Sequence, residues 1–217
     1  MTRPPSAPPP VSSPLQPQGV FHLRGWLGIL TLGPLGAAAI LSGRPWPEGT
    51  WQDQACDLLG YALLFLGLYL RTLATLHLGG RKSRHLVTQG IYSVTRNPLY
   101  LGSLLIGLSA GVLLQSLSLL LGVLILGPLL YLPVIREEER ILHANHGETF
   151  EEYRRRVPRI FPRRLPPRMR EREHPVDLRA FRAHLLRSAC TLLLIPANEF
   201  LAVAQAHGLI PVLLHLP

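Results

Sequence analysis

The chain has 217 residues, 47% of them hydrophobic and only 16% charged, with a formal net charge of +9 and a mean hydropathy of +0.23. That is enough for one domain but too apolar for an ordinary soluble one. The apolar residues are gathered in runs, 19 consecutive uncharged residues between Arg24 and Arg44 and 39 between Arg96 and Arg136, and such runs disfavour the water-soluble nucleic-acid binder that an isoelectric point of 10.5 alone would suggest. A hydrocarbon core of about 30 Å takes about 20 helical residues, so the runs point to membrane spans. Two cysteines, Cys56 and Cys190, are too few for a disulfide framework or a zinc site, and no metal site is expected.

Residues 1–18 are Pro-rich, cannot bury a core, and read as a disordered tail rather than a secretory signal. A first span is expected from about Gly25 to Leu41, ended by the loop signal Ser42-Gly43-Arg44-Pro45-Trp46-Pro47. Trp46 and Trp51 stand where interfacial aromatics are expected. A second span runs from about Leu58 to Leu78 and contains Arg71. Two readings of Arg71 are open, a guanidinium snorkelling to the headgroups, which is the commoner case, or one facing a substrate.

The 39-residue run would reach nearly 60 Å as one helix, about twice the bilayer core, so it is expected to be a helical hairpin. Gln115-Ser116 is its most polar interior point and divides it into roughly Leu99–Leu114 and Leu117–Val134. Gly102, Gly107, Gly111, Gly122 and Gly127 would allow the helices to approach closely, although glycine is also simply frequent in membrane helices.

The segment from Arg136 to His174 is charged, helical at first, and contains Arg154-Arg155-Arg156 and Arg163-Arg164, as expected of a solvated face beside anionic headgroups. From Arg187 to Pro217 the chain is apolar again, interrupted by Pro196, Asn198 and Glu199. This stretch reads as a fifth span or as an interfacial or kinked helix, the second slightly favoured because it exposes Glu199 at little cost. Basic residues concentrate in the loop from Gly79 to Pro98 and after Arg136, which predicts a cytoplasmic N-terminus with both basic segments on the cytoplasmic face. The fold expected is an all-α integral membrane protein of about four transmembrane helices, with a helical segment capping a cytoplasmic site and a C-terminal apolar helix. Its divisions are the tail 1–18, a membrane core 19–165, and a basic linker with the C-terminal helix at 166–217.

Two polar clusters flank the hairpin, and hairpin geometry brings both to one side of the membrane. The first reads His85-Leu86-Val87, Gly90, Tyr92, then Arg96-Asn97-Pro98-Leu99-Tyr100-Leu101-Gly102. The second reads Glu137-Glu138-Glu139, then His146-Gly147, Phe150, Tyr153, Arg156-Val157-Pro158-Arg159 and Phe161-Pro162. From the residues alone, Glu137 to Glu139 look like a solvated helix start between Arg136 and Arg140.

In order and spacing these clusters resemble the membrane methyltransferase superfamily that includes isoprenylcysteine carboxyl methyltransferases and phospholipid N-methyltransferases, over a module of about 85–162. There the first block runs approximately H-x-L-V-x-x-G-x-Y and R-H-P-x-Y-x-G, and the second E-E, F-G, Y-x-x-Y, R-V-P and I-P. The resemblance implies an enzyme that uses S-adenosyl-L-methionine to methylate a lipophilic or lipid acceptor at the cytoplasmic face, an isoprenylcysteine-like carboxylate or a phospholipid amine. It implies cofactor binding by His85, Tyr92, Asn97, Pro98, Tyr100, Gly102, Glu138, Glu139 and Tyr153. Glu138 also serves catalysis, and Arg96 orients the acceptor, as a guanidinium suits a carboxylate or phosphate.

Four positions depart from the pattern: Asn97 for histidine, His146 for phenylalanine, Phe150 for tyrosine and Phe161 for isoleucine. An amide hydrogen-bonds as a neutral imidazole does but does not titrate near neutral pH, which puts proton transfer at Asn97 in doubt and leaves His85 and His146 as the nearby imidazoles. Two alternatives remain open, an NADPH-dependent sterol-reductase-like membrane enzyme and a catalytically silent scaffold of the same fold. The partners expected are the membrane and a lipophilic acceptor, with no nucleic acid.

Overall fold

The structure, a computed structural model, describes residues 20–78, 86–163, 178–210 and 213. The expectations for the tail 1–18 and most of the basic linker fall outside the described residues. Regular structure among the described residues is helical throughout: α1 (Val20–Ile40), α2 (Trp51–Leu78), a short 3-10 turn (Gly90–Ser93), α3 (Pro98–Leu113), α4 (Leu117–Arg156), α5 (Leu178–Leu192) and α6 (Leu194–Ala206).

Local chemistry sets the helix ends. α2 begins at Trp51, seven residues before the expected start, because the Thr50 hydroxyl accepts from the Asp53 backbone amide at 3.4 Å. Asp53 in the first turn suits the positive end of the helix dipole. α3 starts at Pro98, whose fixed φ and missing N–H fit the first helical position. The hairpin turns at Gln115 and Ser116, as expected. Gln115 takes a left-handed φ of 52°, and its side chain donates to Asp53 Oδ1 at 2.7 Å. Ser116 then caps α4 by accepting from the Leu119 amide at 3.3 Å.

α4 has 40 residues and continues past Arg136 to the second motif cluster, interrupted at Gly147 with φ 51° and ψ −123°. Glycine supplies that geometry at no steric cost. The redirected chain brings Phe150 and Tyr153 over the loop before α3, where the Tyr153 hydroxyl donates to the Tyr92 carbonyl at 2.7 Å.

α2 and α3 form the most extensive helix pair. A β-carbon on Gly102 would sit 2.7 Å from the Gly67 carbonyl oxygen, and one on Gly67 would sit 2.8 Å from that of Gly102. Gly107 approaches Val123, Gly111 approaches the Leu120 backbone, and Gly122 approaches Leu35 of α1. The hairpin glycines thus serve close packing.

Among the described residues, three stretches are long and apolar enough to cross a membrane: Trp51–Leu78, Leu117–Arg156 and Leu178–Ala206. α3, at 16 residues, is shorter than the roughly 20 that a straight crossing needs. Large apolar side chains turn outward, Leu58, Phe65 and Tyr69 on α2 and Leu121, Ile125 and Leu129 on α4, an arrangement suited to lipid contact.

The C-terminal segment is a helix broken at Leu193, the kink being as expected, and its first part, α5, packs against α2. His184 Nε2 lies 2.9 Å from Thr72 Oγ1, Asn198 donates to Asp57 at 3.3 Å, and the Tyr61 hydroxyl donates to Glu199. Glu199 is exposed, so its carboxylate is not sealed in an apolar interior. At this end Arg44 completes the network, 2.6 Å from Asn198 Oδ1 and 3.5 Å from Asp53 Oδ1. The α1–α2 loop, the hairpin turn and α6 are thereby tied together at the end opposite the motif clusters.

Candidate active site

Two strands of loop build the site. The Arg96-Asn97-Pro98 segment is stitched to the Pro158–Ile160 segment by main-chain and side-chain hydrogen bonds. The Arg96 amide donates to the Pro158 carbonyl at 3.0 Å, Asn97 Nδ2 to the Arg159 carbonyl at 2.9 Å, and the Thr95 hydroxyl to the Ile160 carbonyl at 2.7 Å. Thr95 and Asn97 are buried, so these bonds form away from competing water.

A cavity of about 980 Å³ opens beside this seam. Of the residues singled out from the sequence, Tyr92, Arg96, Asn97, Pro98, Tyr100, Glu138, Glu139 and Tyr153 all line it. Gly102 does not, because it is the packing contact between α3 and α2. His85 lies outside the described residues. His146 does not line the cavity either, and its Nε2 is buried without a hydrogen-bond partner.

The three consecutive glutamates have different surroundings. Glu137 pairs with Arg140 on the exposed face at 2.7 Å. Glu138 turns into the cavity, where its Oε1 accepts from the Tyr100 hydroxyl at 3.0 Å. Glu139 is buried between two arginines, with Arg159 Nη2 2.7 Å from its Oε2 and Arg96 Nη1 3.1 Å from its Oε1. The helical period of about 100° per residue separates these neighbours in direction, so the solvated reading holds for Glu137 and not the other two, and all three stand mid-helix rather than at a helix start.

Arg96 is nearly enclosed, its side chain 9% exposed. The contact to Glu139 is an ion pair without hydrogen-bond alignment, and neither Nε nor Nη1 of Arg96 has a hydrogen-bond acceptor. Burial lowers its proton affinity below the ordinary arginine value, with the Glu139 carboxylate opposing. Burial also pushes the Tyr92 phenol above its usual range, and Tyr153 and Glu138 add to the rise.

Aromatic rings line the polar end: Tyr92, Tyr100, Tyr131 and Tyr153, with Tyr100 and Tyr131 centroids 5.2 Å apart. Phe150, where the family pattern has tyrosine, is 2% exposed and packs between His143 and Tyr153, each ring centroid 6.3 Å away. The other walls are Leu32 and Gly33 of α1, Gly127 and Leu130 of α4, and Ala180, Ala183, His184 and Arg187 of α5.

Several lining residues carry no motif signal. Arg71 faces the cavity and donates to the Ser103 hydroxyl, so the snorkelling reading gives way to the inward one. A charge inside an apolar span was the available clue. Tyr131 and His184 gave no sign in sequence, and Arg159, which holds Glu139 from outside this cavity, was visible only as part of Arg-Val-Pro-Arg.

The family model described as phospholipid methyltransferase matches residues 56–149. Cobalt-zinc-cadmium resistance protein CzcN of Cupriavidus metallidurans is 38% identical over 126 residues, 58% of this chain and 58% of that protein. Nickel-cobalt-cadmium resistance protein NccN of Alcaligenes xylosoxydans xylosoxydans is 34% identical over 125 residues, again 58% of each chain. Each match spans less than two thirds of the relative's length. No solved structure matches the chain. The long apolar helices and the family together support a membrane location. The matched residues 56–149, which include most of α2, all of α3 and most of α4, are thus similar to the phospholipid methyltransferase family, within the superfamily whose motifs the sequence resembles.

Proposed function

We propose that this protein transfers a methyl group from S-adenosyl-L-methionine to a lipophilic acceptor at the cytoplasmic face of a membrane. The acceptor carries the reacting group of an isoprenylcysteine-like carboxylate or a phospholipid amine. The observation that carries the reading is the two-part lining of one cavity: the carboxylates of Glu138 and Glu139, the Arg96 guanidinium and four tyrosines at one end, and apolar residues of α1 and α4 at another.

The donor set fits the cofactor chemically. Glu138, steadied by Tyr100, can accept from an ammonium or from ribose hydroxyls, and the tyrosine rings offer faces to an adenine or a sulfonium. When bound, the cofactor supplies an electrophilic methyl group. The chain's own part is to align and to dry the site, since an in-line displacement needs positioning more than a protein nucleophile. Arg96, anchored by Glu139, orients the acceptor, and its buried donors lack hydrogen-bond acceptors within the protein. A carboxylate acceptor needs no base, whereas an amine must arrive deprotonated, because Asn97 does not titrate. The apolar walls between α1 and α4 suit lateral entry of the lipophilic part from the bilayer. The two relatives are named for metal resistance; a similar role for this chain would, in this reading, run through the methylated acceptor.

Calorimetric titration of the detergent-purified protein with S-adenosylhomocysteine tests the reading without knowledge of the acceptor. Saturable binding that is lost in Glu138→Gln is expected. Absence of binding in folded protein overturns it.

A further inference from the structure

A second cavity, of about 940 Å³, adjoins the first and shares Arg96 and Tyr153 with it. Its walls are the loop from Thr88 to Arg96, the end of α4 and the segment up to Arg163. Six arginines line it, against a single carboxylate, Glu152. Arg154, Arg156 and Arg159 are already paired, with Glu151, Glu152 and Glu139. Arg155 and Arg163 have no hydrogen-bond or ion-pair partner among the described residues.

Arg155, on the last turn of α4, and Arg163, after it, line the same space without a counter-charge, and an anion between them would accept from both guanidinium groups. The nearly enclosed Arg96 adds a donor from the wall between the cavities, since its Nε and Nη1 lack hydrogen-bond acceptors. The Thr88 and Thr149 hydroxyls also face this space. A phosphate, with several acceptor oxygens and more than one negative charge, matches a set of guanidinium forks and hydroxyls better than a single carboxylate does.

We propose that this arginine-lined cavity is a binding site for a phosphate group, separate from the cavity assigned to methyl transfer and bordering it through Arg96. The chemistry is the same for the headgroup of an anionic phospholipid and for a free phosphate ion. The site stands on Arg155 and Arg163 without the methyl-transfer reading, while Arg96 borders both cavities.

The test uses the full-length protein in nanodiscs of zwitterionic lipid, with the thermal unfolding midpoint as readout. One arm titrates inorganic phosphate against chloride at constant ionic strength, and the other introduces phosphatidic acid into the nanodisc. A saturable rise in midpoint with phosphate assigns a free anion, and a rise with phosphatidic acid alone assigns the lipid headgroup. In either case the double variant Arg155→Gln, Arg163→Gln weakens the response about tenfold or more and leaves S-adenosylhomocysteine binding unchanged. No saturable response in either arm, or an undiminished one in the double variant, overturns the proposal. Loss of S-adenosylhomocysteine binding in wild-type protein that still responds to phosphate would remove the methyl-transfer reading and leave this site standing.

Discussion

Asn97 donates its side-chain amide to the main-chain carbonyl of Arg159 at 2.9 Å, across 62 positions of sequence. The residue that departs most visibly from the superfamily pattern thus joins the two motif clusters to each other. Its work at this contact is that of a neutral donor, which an imidazole could also do, and no proton transfer is needed for it. Asn97→Ala should cost about 1–3 kcal/mol, because a buried carbonyl loses its partner, and Asn97→Asp should cost more by setting a carboxylate against that carbonyl. Thermal unfolding in detergent reads both; an unshifted midpoint in Asn97→Asp would show that the contact does not hold the seam.

The different surroundings of Glu137, Glu138 and Glu139 give a second expectation. Glu139→Gln leaves two guanidinium groups without their shared counter-charge, one of them nearly enclosed, and should destabilise the protein by about 3 kcal/mol. Glu137→Gln, on the exposed face, should leave the unfolding midpoint where it is. Equal effects of the two substitutions would contradict the burial described.

Tyr100→Phe removes the hydroxyl that steadies Glu138 but keeps the ring against Tyr131. S-adenosylhomocysteine affinity should fall by about 1 kcal/mol, a smaller loss than in Glu138→Gln. A calorimetric series of wild type, Tyr100→Phe and Glu138→Gln checks the order.

Gly102→Ala would push a methyl group to 2.7 Å from the Gly67 carbonyl oxygen, a backbone atom that cannot rotate away. Separating α2 from α3 should cost about 1–3 kcal/mol. S-adenosylhomocysteine affinity at temperatures where the variant is folded should change little, since Gly102 does not line the cavity. A selective loss of affinity in a stable variant would return this glycine to the binding site.

Alkaline stability should report Tyr92. Burial raises its folded-state pKa above the unfolded value of about 10. Below that value both states hold the proton and the contribution to stability is fully present. As pH rises past it, the unfolded chain gives up the proton first and stability falls until the folded group titrates in turn. Unfolding midpoints measured from pH 8 to 11 should therefore decline less steeply in Tyr92→Phe than in wild type.

Much of the helical outline was legible because it follows from charge. An uncharged run too long for one crossing has to fold back, and Gln115-Ser116 was the cheapest place to do so. The motif clusters identified eight of the residues around one cavity, because a hairpin returns its two ends to the same side. Other features depend on which way a side chain turns, and a single apolar helix gives no reading of that. Arg71 turned inward, Gly102 proved to be a contact between helices, and the C-terminal stretch lay along α2. Its alignment is fixed by Thr72, Tyr61 and Asp57, polar residues of α2 that have no pattern of their own. The earlier start of α2 was written in Thr50 and Asp53, a capping pair overshadowed by the tryptophan between them and the preceding loop.

The break at Gly147 separates two mechanical jobs within α4. The stretch before it is a long rod whose first turn abuts the hairpin bend at one end of the bundle, and the stretch after it closes over the loop that carries Arg96. Nothing lies within 4 Å of the place where a β-carbon would be, so the joint has room to pivot. A bilayer that thins or thickens tilts a rod of this kind. With a swing taken up at one glycine, Phe150 and Tyr153 keep their seat on that loop while Tyr131 and Glu138, on the rod side, shift the facing wall of the cavity, so that membrane thickness acts on one wall and not the other.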